Sequence, residues 1–212
     1  MDLRNVVAVL LDMDGTLVDS DAAVERAWIA WAHEHDVDPV AAMAIAHGSP
    51  ADRTVCRLRP DLDAAAAAAA TQRQLELQYD DLADVVALAG AHELIAVMGE
   101  LGLAWAVVTS ADTRLAKARL NAAGIAPPLL LTRDDVDAGK PDPEGYLLAA
   151  AQLAVAPAGC LVVEDSEPGL AAGRGAGMPV AALRGLAGDL RLRDLGHLAR
   201  LLAASRTAGT AR

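Results

Sequence analysis

VVAVLLDMDGT, residues Val6 to Thr16, carries six apolar residues straight into Asp12, a second acid at Asp14 and a glycine at position 15. A short apolar run of this kind reads as a strand buried on both faces, as in parallel sheets. Four more runs repeat the pattern: Ala104 to Val108, Leu129 to Leu131, Leu161 to Val163 and Val180 to Leu183. Helical patterns separate them. Ala91 to Leu101 precedes the second run, Asp112 to Ala123 follows it with Gly124 placed to end the helix, and Pro143 to Ala154 precedes the fourth. The alternation predicts an α/β fold, a doubly wound, Rossmann-like parallel sheet.

Some 70 residues separate the end of the first motif at Thr16 from the helix at Ala91, where an ordinary strand-to-helix connection has roughly 2 to 6. The excess is helical in character. A helix carrying Trp28 and Trp31 follows Asp21, a second opens at Ser49, Pro50 and Asp52 in capping-box order, and an alanine-rich third runs from about Ala64 to Gln78. The expected organisation is an α/β core, residues 1–17 and 85–212, with an all-helical cap inserted over 18–84. From Ala203 the tail is small and polar, and fraying is expected there.

With 212 residues the chain suits one domain bearing a smaller inserted one. Its net charge of −11 opposes binding to nucleic acid, whose affinity rests on lysines and arginines. The apolar run at Val6 to Leu11 is far too short to span a bilayer, and no basic cluster precedes it as in a signal peptide. No membrane association is expected. Cys56 and Cys160 show no CxxC spacing, which reads as two reduced, buried thiols in a cytoplasmic protein.

In a parallel sheet, ligands bind beyond the carboxyl ends of the strands, so polar residues that close an apolar run are where chemistry is expected. Asp12 and Asp14 leave the first strand together, and two carboxylates aimed at one crevice call for a compensating cation. WAVVTSA, Trp105 to Ala111, ends in Thr109 just before a helix, where a hydroxyl and backbone amides suit phosphate oxygens. AGKPDPEGY, Ala138 to Tyr146, sets Lys140, one of only two lysines, in a Gly/Pro-rich loop. LVVEDSEPGL, Leu161 to Leu170, closes a strand with Glu164 and Asp165, hard oxygen donors that suit magnesium. Each feature alone has a plain explanation as a helix cap or a solvated charge. Four in one order point to phosphoryl chemistry.

DMDGT, VVTS, GKPDPEGY and VVEDSEPG resemble the four motifs of the haloacid dehalogenase superfamily, in order and over nearly the whole chain. More narrowly, DGTLVDSDAAVERAW, the pair His47 and Gly48, and RLRPDL from Arg57 to Leu62 resemble bacterial sugar phosphatases and the related glycerol-phosphate and deoxyglucose-phosphate phosphatases. The resemblance implies a core sheet with a helical cap and magnesium-dependent hydrolysis of a small phosphorylated metabolite. It makes Asp12 the nucleophile that forms an aspartyl-phosphate, and Asp14 the general acid and base. Magnesium would be held by Asp12, the backbone carbonyl of Asp14 and Asp165, with Glu164 as a further ligand or a partner of the ligands. Thr109, Ser110 and Lys140 would hold phosphoryl oxygens, and Thr16 would orient the Asp14 loop. In the cap, His47, Gly48 and Arg53 are the substrate-specificity candidates.

The count of three or four carboxylates against one lysine predicts a strongly negative site that needs metal before substrate. A dehalogenase is disfavoured because it does not need the second acid. A phosphonatase is disfavoured because its cap lysine has no counterpart in residues 16–84, which hold no lysine. A phosphosugar mutase and a non-catalytic binder of phosphorylated metabolites remain as alternatives. Gly173, Gly175 and Gly177 fail the GxGxxG spacing of a dinucleotide site and read as helix-end glycines.

Overall fold

Val6 to Leu11 yields β1 (Ala8–Leu11), all four of whose side chains are buried. The strand starts two residues late because Leu3–Asn5 close a 3-10 turn capped by Asp2. The computed structural model describes residues 1–46, 49–79 and 81–207. Along the chain follow β2 (Val18–Asp19), α1 (Asp21–Glu34), α2 (Pro39–Ala46), α3 (Ala51–Leu58), α4 (Ala64–Tyr79), β3 (Val86–Ala87), α5 (Ala91–Glu100), β4 (Ala104–Val108), α6 (Thr113–Ala122) and β5 (Leu130–Leu131). The remainder comprises α7 (Glu144–Gln152), β6 (Cys160–Glu164), α8 (Glu167–Gly175), β7 (Val180–Ala182), β8 (Leu190–Arg191) and α9 (Leu195–Thr207).

Six strands form one sheet in the order β5-β4-β1-β6-β7-β8, and every pairing is parallel. The alternation of β1 sets the two faces. Val9 and Leu11 join Leu94 and Met98 of α5, Leu120 of α6 and Leu198 and Leu202 of α9. Ala8 and Leu10 join Tyr146 and Ala149 of α7 and Leu170 and Ala172 of α8. Helices thus cover both faces, which is why these strands read as unbroken apolar runs. Burying each such leucine contributes roughly 1.5–3 kcal/mol. The chain runs outward from β1 in both directions, so the carboxyl end of β1 lies at the crevice where the winding reverses.

Helices α1 to α4 gather around a separate apolar cluster of Trp28, Trp31, Ala32, Ala42, Ala46, Val55 and Ala70. The two tryptophans meet edge to face, centroids 5.4 Å apart, and the Trp31 indole donates to the Ala70 carbonyl at 2.8 Å. The alanine run does form a helix, and its small side chains let α1 approach closely enough for that bond. An antiparallel ribbon of β2 and β3 stands where the chain leaves and re-enters the sheet layer. Among the described residues no helix is long and apolar enough to cross a membrane.

Several local expectations are corrected. Pro50, not Ser49, is the N-cap of α3, so no capping box forms, and the Asp52 carboxylate accepts instead from Arg53 N–H. Ala203 to Thr207 continues α9, because Leu202 is buried and Arg206 donates to the Val6 carbonyl at 2.7 Å. Cys160 is buried but Cys56 is exposed, since it points away from the face of α3 that buries Thr54 and Val55. Gly173 lies inside α8, where a Cβ would crowd Val180 and Val162. Close packing on the sheet, not a helix end, requires it.

Candidate active site

Asp12 continues the ladder of β1, its amide donating to Val163 O at 3.0 Å, and its side chain emerges at the crevice. Lys140 arrives from the loop before α7 and is itself buried. Its ammonium donates to Asp12 Oδ1 at 2.5 Å, Glu164 Oε1 at 2.6 Å and the Val108 carbonyl at 2.9 Å. All three ammonium donors are thereby used. Glu164, fully buried at the end of β6, also accepts from the Tyr146 hydroxyl at Oε1 and, at Oε2, from the amides of Asp165 and Ser166 and the Ser166 hydroxyl. Gly169 permits this, since any Cβ there would overlap the Glu164 carboxylate.

The turn after β1 brings Asp14 round. Gly15 makes it at φ +74°, and a side chain there would collide with Asp165 and Arg184, so glycine is required twice over. Asp14 Oδ1 accepts from the Ser20 hydroxyl at 2.6 Å and pairs with Arg119 of α6 at 2.9 Å. Arg119, 2% exposed, extends its other terminal nitrogen to Gln78 of α4 at 2.7 Å. Asp165 receives Arg184 at 2.9 Å and the Thr16 hydroxyl at 3.3 Å. The Thr16 hydroxyl thus reaches Asp165 at the end of β6, while its amide donates to the Met13 carbonyl at 3.3 Å and closes the turn that carries Asp14.

Arg119 and Arg184 correct the charge count. Five carboxylates, Asp12, Asp14, Asp21, Glu164 and Asp165, meet three cations, Lys140, Arg119 and Arg184, with Arg184 shared between Asp21 and Asp165, so the site stays negative although two cations beyond the one lysine reach it. The imbalance is concentrated at three points. Carboxylate oxygens of Asp12, Glu164 and Asp165 lie within 4.8 Å of one another, a donor set able to hold a metal ion. Burial pushes the Asp12 carboxyl well above its ordinary range; Lys140 opposes this, while Glu164 and Asp165 add to it. Asp165 is pushed up to about 6 by burial and by Glu164, against the pull of Arg184. Burial works against the Lys140 charge, yet Asp12 and Glu164 together hold it well above the usual lysine range. Hard oxygens whose ionisation is opposed by burial and by neighbouring carboxylates fit a divalent cation.

A cavity of about 520 Å³ opens over this cluster, between the sheet edge and α1, α3 and α4. Asp12, Asp14, Thr109, Ser110, Lys140 and Asp165 all line it, so the structure brings these six together. The Thr109 hydroxyl accepts from Ala111 N–H at 3.1 Å and stays at the cavity wall. Glu164 lies behind Lys140 and lines no part of the cavity's wall. Arg53 is exposed and borders a neighbouring cleft of about 200 Å³ with Arg57 and Pro141, its guanidinium 3.4 Å from the Lys140 carbonyl. His47 and Gly48 lie outside the described residues.

A family model described as a haloacid dehalogenase-like hydrolase matches residues 6–177, a span holding every residue of the acidic cluster. The chain belongs to the haloacid dehalogenase-like hydrolase family. Among family relatives, Hexitol phosphatase A of Escherichia coli (strain K12) is 38% identical over 187 residues, 88% of this chain and 87% of that protein. N-acetylmuramic acid 6-phosphate phosphatase of Pseudomonas aeruginosa is 32% identical over 191 residues, 87% of this chain and 84% of that one. A solved structure of β-phosphoglucomutase from Clostridium difficile superposes with a TM-score of 0.85 over 98% of this chain and 100% of that one. At 17% identity, that likeness shows the fold alone.

Reasoning from the sequence missed Arg119, Arg184, Ser20 and Tyr146. Ser20 and Tyr146 lay inside quoted motif segments but carried no spacing signal. Arg119 sits mid-helix, where an arginine reads as a solvated charge. Arg184 has one faint mark, a left-handed backbone (φ 51°) just after β7, and that is visible only in coordinates.

Proposed function

We propose that the protein is a magnesium-dependent phosphatase that hydrolyses a small phosphate monoester, a sugar or polyol phosphate, through an aspartyl-phosphate on Asp12. The meeting of Asp12, Asp14 and Lys140 under one cavity carries the reading. Asp12 attacks phosphorus, the new P–O bond forms as the ester P–O bond breaks, and Asp14 protonates the departing alkoxide. Asp14 then takes a proton from water, which attacks the aspartyl-phosphate and frees inorganic phosphate. With Oδ1 engaged by Ser20 and Arg119, Oδ2 is the oxygen suited to give and take the proton. Thr109 and Ser110 offer donors to the phosphoryl oxygens, and Lys140 compensates charge beside Asp12.

Asp12, Asp165 and the backbone carbonyl of Asp14 would hold magnesium, which when bound neutralises charge on the phosphoryl group. Glu164, both of whose oxygens already accept several hydrogen bonds, is better suited to fixing Lys140 than to ligation. Residues 18–84 act as the cap that covers the substrate and excludes water. The curated relatives named above, similar over most of their length, favour a phosphatase over a mutase. Phosphate release from a metabolite panel, with magnesium against chelator and with Asp12→Asn as control, tests the reading. Full activity in metal-stripped protein or in the Asp12→Asn variant would refute it.

A further inference from the structure

Arg119, Gln78 and Gln74 form a buried chain of side chains leading away from Asp14, with exposures of 2%, 6% and 0%. Arg119 donates to Gln78 Oε1 at 2.7 Å, and Gln78 Nε2 donates to Gln74 Oε1 at 2.7 Å. The amide orientations along this chain are fixed by chemistry. A guanidinium has donors only, so it must meet the oxygen of Gln78; the Gln78 nitrogen then faces Gln74, which must answer with its own oxygen. That leaves Gln74 Nε2 as a buried donor with no partner among the described residues.

Gln74 and Gln78 both line the 520 Å³ cavity, as do Asp14, Val24, Trp28 and Leu75. An unpartnered buried amide nitrogen carries a free-energy penalty that a ligand oxygen would remove. We propose that Gln74 is a specificity-determining residue whose Nε2 donates to a hydroxyl oxygen of the alcohol portion of the substrate, while Val24, Trp28 and Leu75 face its carbon skeleton. The inference rests on the phosphatase reading and deepens it: the preferred esters carry a hydroxyl on the part of the molecule that faces α4. Because Gln78 and Arg119 tie this donor to Asp14, the same chain that reads the alcohol also braces the group that protonates it.

The test compares kcat/KM for a hexitol monophosphate, for its monodeoxy analogues and for p-nitrophenyl phosphate, which has no hydroxyl, in wild type and two variants. Gln74→Met removes the donor at similar volume; Gln74→Asn keeps a buried amide but draws it back by one methylene. In wild type, one deoxy analogue is expected to lose roughly tenfold to a hundredfold against the parent. Each folded variant is expected to lose a similar factor on the parent, far less on p-nitrophenyl phosphate, and almost nothing further on that same deoxy analogue. Equal losses on all substrates, or additive losses for the variant and the deletion, would overturn the inference while leaving the phosphatase reading intact. Wild type inert toward every ester would overturn both.

Discussion

The sheet edge and the helical segment that faces it hold their polar groups in opposite ways. At the edge, Lys140 spends all three of its donors, and Glu164 accepts five hydrogen bonds. Across the cavity, the ion pairs of α1 and α4 are half-exposed, as where Arg26 meets Asp81 and Asp84 and Arg73 meets Glu34. Among the described residues, the buried side-chain pair Gln78 and Gln74 on that side ends with a donor unused. The edge is built to hold a fixed charge arrangement; the opposite wall is held by apolar contact and leaves a group available to a ligand.

The contrast is broken most severely at Lys140. Lys140→Met would leave Asp12 and Glu164 buried without their cation, a loss of about 3–5 kcal/mol, and phosphate release would fall roughly a hundredfold to a thousandfold. Denaturant titration and steady-state kinetics check the two figures. Next comes Arg119, the link between the two regions. Arg119→Met is expected to lower kcat roughly tenfold to a hundredfold with KM for p-nitrophenyl phosphate far less affected, and Arg119→Lys to restore part of it. An unchanged kcat would show that Asp14 needs no brace from α6.

Asp165 gives a subtler effect. Its folded-state value of about 6 exceeds the ordinary 3.8, so the folded protein binds this proton more tightly than the unfolded chain. Its contribution to stability is therefore greatest below the unfolded value and falls as pH rises to about 6. In chelator, the melting temperature of Asp165→Asn relative to wild type should rise by a few degrees between pH 4 and 6 and level off above; a flat difference would contradict the shift. Smallest of all, Arg26→Ala removes exposed pairs with Asp81 and Asp84 and should cost less than about 1 kcal/mol by denaturant titration.

The two regions also differed in how well they could be read. Asp12, Thr109, Lys140 and Asp165 were legible because each ends an apolar run or sits in a Gly/Pro-rich loop, and a parallel sheet gathers such ends. The small strands β2, β3 and β8 were not, since two residues cannot show a period. Nor was α2, whose PVAAMAIA is too uniformly apolar to reveal a helical face. Gln74 and Gln78, four apart on α4, look like any solvated pair on a helix. Arg119 looks like its neighbour Lys117.

By itself, then, the order of residues determined the parallel sheet, the strand ends that carry the acids and the Gly/Pro-rich loop that carries the lysine, because burial pattern and turn chemistry are local properties. Only the tertiary structure decided which charges meet: Arg119 with Asp14 and Gln78, Arg184 with Asp165, and a free amide on Gln74. Ion pairing and hydrogen-bond direction depend on distances of a few ångströms between residues far apart in the chain, and no local pattern encodes them.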